Sequence, residues 1–112
     1  MLFCAVPAYA ADGKDTLDKD KFKGAVPNAQ AEEIHFCKKS DRPAEAVKDK
    51  GDISVAGAEG KIHVYANETE TKYWVVHEED GKIFFPEESK FLFSSCTKLT
   101  TVTFDQIGRA HV

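Results

Sequence analysis

The chain of 112 residues has little cysteine and no excess of positive charge. Its three cysteines and single methionine and tryptophan exclude a disulfide-dense scaffold, since such small secreted folds carry far more cysteine. With 15 Lys+Arg against 19 Asp+Glu the formal net charge is −4, and no basic stripe exists to neutralise a phosphate backbone. Nucleic acid is therefore not the expected partner. No apolar run approaches the roughly 18–20 residues that a membrane-crossing helix needs. No C-x-x-C or H-x-x-x-H spacing marks a metal centre, and no cofactor motif is present. What the chain does have is 42% apolar and 30% charged residues, enough to bury one small core.

Both ends stand apart from the rest. Residues 1–11 carry no charge, and a lysine- and aspartate-rich stretch follows abruptly. Ala8-Tyr9-Ala10 places small side chains where signal peptidase needs them, so residues 1–10 read as a signal-peptide remnant cleaved after Ala10. At the other end, residues 107–112 (Ile-Gly-Arg-Ala-His-Val) back-translate as ATC GGA AGA GCA CAC GTC, a string resembling a sequencing adapter. They are expected to be a non-native tail, and Arg109 and His111 are not taken as site residues.

Residues 11–30 alternate acids and lysines around few apolar anchors (Leu17, Phe22, Val26) and are expected to form a flexible polar leader, as loop or frayed helix. Asp18-Lys-Asp20 begins like a calcium loop. Phe22 takes the next ligand position and no bidentate glutamate follows at the right spacing, so no calcium site is expected.

Residues 31–86 form a β-rich flank. Glu33–Lys38 reads as a strand with Ile34 and Phe36 on one face and His35 and Cys37 on the other. Pro43 ends it, residues 44–51 read as a polar connection, and 53–55 as a short alternating segment. Ile62, Val64 and Ala66 then alternate with His63 and Tyr65. Residues 67–71 form a turn, and Tyr73–His77 completes a hairpin. A turn over 78–81 leads to a strand over 82–85, closed by Pro86.

Pro86-Glu-Glu-Ser-Lys opens like a helix, with proline suited to the first turn and carboxylates at the positive dipole end. Phe91, Leu92 and Phe93 supply its apolar face. Leu99, Val102 and Phe104 then fall at L-x-x-L-x-L spacing, the pattern that turns side chains into the core of a leucine-rich-repeat solenoid.

The segment 80–105 resembles the start of the repeats in BspA-like leucine-rich-repeat bacterial surface proteins. There a G-K-I-x-x-P-x-x-S-x-x-L-F phrase leads into F-x-x-C-x-x-L-x-x-V/I-x-F. The matching positions are Gly81, Lys82, Ile83, Pro86, Ser89, Leu92, Phe93, Cys96, Leu99, Val102 and Phe104. Upstream, Lys38–Pro43 and Asp52–Ser54 follow a similar order, so the resemblance spans roughly residues 31–105. The methionine-rich phrase of following repeats is missing here.

The resemblance implies an α+β, β-rich fold in which flanking hairpins pass through a short helix into the first solenoid strand, with the repeat beginning over 87–106. Leu92, Phe93, Cys96, Leu99, Val102 and Phe104 would form the repeat core. It also implies an exported or cell-surface, non-enzymatic protein that binds host or matrix proteins through its repeats, without a cofactor or metal. Against this background Asn67-Glu-Thr69 is a turn and not a glycosylation acceptor.

Other residues admit bland readings. Cys37 and Cys96 are expected to be free thiols, with a long-range disulfide as the alternative. His35, His63 and His77 are expected to be half-exposed strand histidines, and Glu78, Glu79 and Asp80 turn residues. Tyr65, Tyr73, Trp74, Phe84 and Phe85 would form a glycan platform if they shared an exposed face. That is the alternative function, an accessory carbohydrate- or wall-binding β-domain of an extracellular hydrolase.

Overall fold

The computed structural model describes residues 15–86, 92–105 and 107–108. Ala8, Ala10 and the proposed cleavage point lie outside these residues, as do 87–91 and 109–112. The fold is α+β and strand-rich: among the described residues one α-helix packs on a mixed five-strand sheet.

The helix, α1, spans Lys19–Ala25. Asp18 caps it by accepting the Lys21 N–H at 3.0 Å. Val26 ends it in extended conformation, because the ring of Pro27 disfavours the helical region for the residue before it. Phe22, Ala25 and Val26 stand at i, i+3 and i+4, so one face buries, while Lys21 Nζ reaches the Ser54 carbonyl at 2.9 Å. Together with Leu17 at 0% exposure they lie in the main core. In its described part the leader expected over 11–30 as loop or frayed helix holds a capped helix with buried residues, which its solvated reading missed. Charge dominates its composition, but the apolar residues share one face.

The strands are β1 (Glu33–Lys38), β2 (Lys48–Asp52), β3 (Ile62–Ala66), β4 (Lys72–His77), β5 (Ile83–Phe84), β6 (Thr101–Phe104) and β7 (Ile107–Gly108). In the large sheet the order is β2-β3-β4-β1-β6. β2, β3 and β4 are antiparallel neighbours, whereas β1 lies between β4 and β6 and is parallel to both. β5 and β7 make a separate parallel pair, so Ile107 and Gly108 take part in backbone pairing.

Period-2 alternation assigns the faces. Ile34, Phe36, Ile62, Val64, Tyr73 and Val75 enter the main core beneath α1. His35, Cys37, Tyr65, Trp74 and Val76 take the opposite face, where Ala46 helps build a smaller cluster.

β2 departs from expectation. Lys-Asp-Lys-Gly-Asp occupies a place read as a connection, because an edge strand needs no apolar alternation. Its register shifts between Asp49 and Gly51, and Gly51 adopts φ +113°. Ile53 follows at 1% exposure and enters the core.

The β3–β4 turn is held by Asn67, whose Oδ1 accepts the N–H groups of Thr71 and Lys72 at 2.9 and 3.0 Å. Glu70 sits at φ +57°, a left-handed conformation that glycine adopts freely. Its carboxylate receives Lys50 at 2.8 Å and Lys48 at 3.2 Å, which hold its pKa below the ordinary 4.5. Glu70→Ala is expected to melt lower than Glu70→Gly, since alanine keeps the backbone strain and loses the lysines. A lowered carboxyl pKa contributes stability above its ordinary value. The advantage of wild type over Glu70→Gln should therefore be present above pH 4.5 and vanish as pH falls through the lowered value. Thermal melts of the three variants at several pH values check both statements.

Candidate functional site

The repeat-like residues gather along one margin of the core. Leu92 is buried at 2% exposure; Phe93, Leu99 and Val102 are half-buried and pack against the main cluster. Residues 92–95 form a turn, and 87–91, the body of the expected helix, lie outside the described residues. Cys96 is half-buried, and Phe104 remains 46% exposed. Its ring still stacks on Phe36 at 5.3 Å between centroids and tilts against Phe85 at 6.0 Å.

β6 forms an edge of the sheet. Thr101 donates to Glu32 O and Asp105 to Phe36 O, so the odd-numbered residues turn their backbone groups toward β1. The N–H and C=O groups of Val102 and Phe104 therefore point outward, and among the described residues no strand pairs with that side. The two edges differ in character. β2 is blunted by two lysines, two aspartates and a bulge, whereas Thr-Val-Thr-Phe has no charge, proline or bulge.

On the face away from α1 the register sets Tyr65, Trp74, His35 and Thr103 in one row across β3, β4, β1 and β6. His35 stacks on Trp74 at 5.8 Å. Its Nδ1 meets Thr103 Oγ1 at 2.8 Å and its Nε2 meets Glu33 Oε1 at 2.9 Å. Hydroxyl, imidazole and carboxylate in series have the composition of a nucleophilic triad. Here Thr103 lies on β6 and His35 on β1, so the chain of bonds ties β6 to β1. Among the described residues no group of three or more His, Cys, Asp or Glu is placed to hold a metal ion.

The five aromatic residues of the glycan platform do not share a face. Tyr73 is buried in the main core and Phe85 packs against it, while Trp74 is 6% exposed beside Ala46 on the opposite side. Tyr65 is covered by the Arg42 guanidinium at 4.1 Å from its ring centre. Its hydroxyl donates to Glu78 Oε2 at 2.7 Å, and burial followed by this bond raises its pKa to about 12.

Of the three strand histidines, His35 and His63 are half-exposed as expected, but His77 is buried at 1% exposure. Alternation could not reveal this, because its partner Asp15 lies far upstream.

Cys37 and Cys96 are both free. Burial, then the negative charges of Asp41 and Asp105, raise the Cys37 pKa to about 11. Burial also raises that of Cys96, with nearby Lys23 opposing it. Because only thiolates react, alkylation of the native chain at pH 8 should label half-exposed Cys96 first and leave Cys37 unmodified until urea is added. Mass spectrometry of timed samples decides it; a chain refractory even when denatured without reductant would mean a disulfide.

Among the described residues no helix is long and apolar enough to cross a membrane. Comparison with protein-family models, with curated proteins and with solved structures finds no match for this chain.

Proposed function

We propose that this chain is the N-terminal flank of a secreted or cell-surface, non-enzymatic leucine-rich-repeat protein of the BspA-like kind. Its repeats would stack on β6 and bind host or matrix proteins. The observation that carries this reading is the contrast between the two sheet edges. The β2 edge is protected against further pairing, while β6 is parallel to β1, uncharged, and leaves Phe104 exposed. A solenoid needs that arrangement at its first turn: a cap closing the core on one side and an open parallel strand on the other. The inward packing of Leu92, Phe93, Leu99 and Val102 supports the same assignment of the repeat phrase.

The test is the sequence of the full-length gene downstream of β6. The expected result is further L-x-x-L-x-L units at a period of roughly 20–29 residues. A non-periodic continuation would overturn the reading.

The carbohydrate-binding alternative makes a separate forecast. With Trp74 at 6% exposure, glycan titration of this chain is expected to give no saturable quenching of tryptophan fluorescence. Saturable quenching would favour the alternative.

A further inference from the structure

His77 ends β4, and both its ring nitrogens are engaged. Nδ1 accepts the N–H of Glu79 at 3.1 Å and of Gly81 at 2.9 Å, so it carries no proton. The ring proton sits on Nε2 and is donated to Asp15 Oδ2 at 2.6 Å. Asp15 opens a segment knitted into its neighbours: Phe84 N–H donates to Asp15 O at 2.8 Å, Leu17 N–H to Phe84 O at 3.0 Å, and Val55 N–H to Thr16 O at 3.0 Å. One buried imidazole thus joins the N-terminal segment, the end of β4 and the turn before β5.

We propose that His77 is an acid-operated latch on this junction, holding residues 15–17 and the 78–81 turn closed while neutral and releasing them when Nδ1 takes up a proton. A protonated Nδ1 is a donor facing two N–H donors, which then lose their acceptor. Charged groups of both signs surround the ring. Asp15 approaches from the N-terminal segment, and Glu78, Glu79 and Asp80 lie in the turn. Opposing them are Lys61, bound to Glu79 at 2.7 Å, and Lys38, the register partner of His77 on β1. The closed turn has no place for a second ring proton, because Nδ1 already accepts two N–H groups. That geometry makes the junction responsive to pH.

The experiment is residue-resolved amide exchange on the whole chain at pH 7.5 and pH 5.0, corrected for intrinsic rates. Opening at Leu17, Glu79, Gly81 and Phe84 is expected to rise at least about tenfold between the two pH values. Phe36 and Val75, in the sheet centre, should not change. In His77→Gln, whose amide offers both an acceptor and a donor but does not titrate, opening should be independent of pH. A pH-independent wild type, or an equal response in His77→Gln, would overturn the proposal. Should that variant not fold, the imidazole nitrogen resonances of wild type decide. Loss of the turn amides in step with imidazolium formation supports the latch. An Nδ1–H tautomer at pH 7.5, or an imidazolium with the turn still protected, rules it out.

Discussion

Phe36→Ala is expected to destabilise the fold by about 3–5 kcal/mol, the range for removing a fully buried phenylalanine. Phe36 is 0% exposed and stands at the centre of the aromatic group. Its ring lies 6.4 Å from Phe22, 5.2 Å from Phe85, 6.3 Å from Phe93 and 5.3 Å from Phe104. These rings come from α1, from the segment after β5, from the 92–95 turn and from β6. The cavity left by alanine would therefore loosen elements far apart in sequence at once, and none can close it alone. Against a typical domain stability of about 5–15 kcal/mol the loss is large. Urea unfolding should show a lower midpoint at unchanged slope. Val47→Ala, at a site 57% exposed, should stay within about 0.5 kcal/mol.

The second large effect is expected at Gly81. A Cβ there would lie 2.7 Å from Cε1 and 2.9 Å from Nε2 of His77. That ring cannot swing aside, because Nε2 is tied to Asp15 and Nδ1 to two backbone N–H groups. Gly81→Ala should therefore cost about 1–3 kcal/mol by overpacking and should also break the Asp15 contact. In a His77→Ala background the same change should be nearly neutral, since the obstructing ring is gone. A double-mutant cycle followed by denaturant unfolding measures this coupling. Additive effects would mean that Gly81 is required for its backbone and not for the space it leaves.

Much of the sheet is legible in the sequence. β1, β3 and β4 each bury one face in a large core, so Ile34/Phe36, Ile62/Val64 and Tyr73/Val75 alternate with more polar or differently packed neighbours. Asn67 announces the turn between β3 and β4 by residue type alone. β2 is not legible, because an edge strand half in water has no apolar face to display. The α1 segment is misread as a leader because its lysines outnumber its anchors, although the anchors share one side. Neighbour relations are harder still. Nothing local to Glu33–Lys38 says that it separates β4 from β6 in parallel, since that pairing joins segments far apart along the chain. His77 belongs to the same class: its burial depends on Asp15, and alternation describes only its own strand. In the segment after residue 91, the apolar residues Leu92, Leu99 and Val102 pack in or against the main core.

The central claim is that β6 is the opening strand of a parallel stack. The most direct measurement compares amide exchange at Val102 and Phe104 in this chain and in the same chain carrying its natural downstream sequence. Both N–H groups point to the open edge and should exchange readily in the shorter protein. Protection of both by about a hundredfold or more in the longer one, a difference of roughly 2.7 kcal/mol by ordinary two-state arithmetic, is the predicted result. Equal, unprotected exchange in both proteins would contradict it.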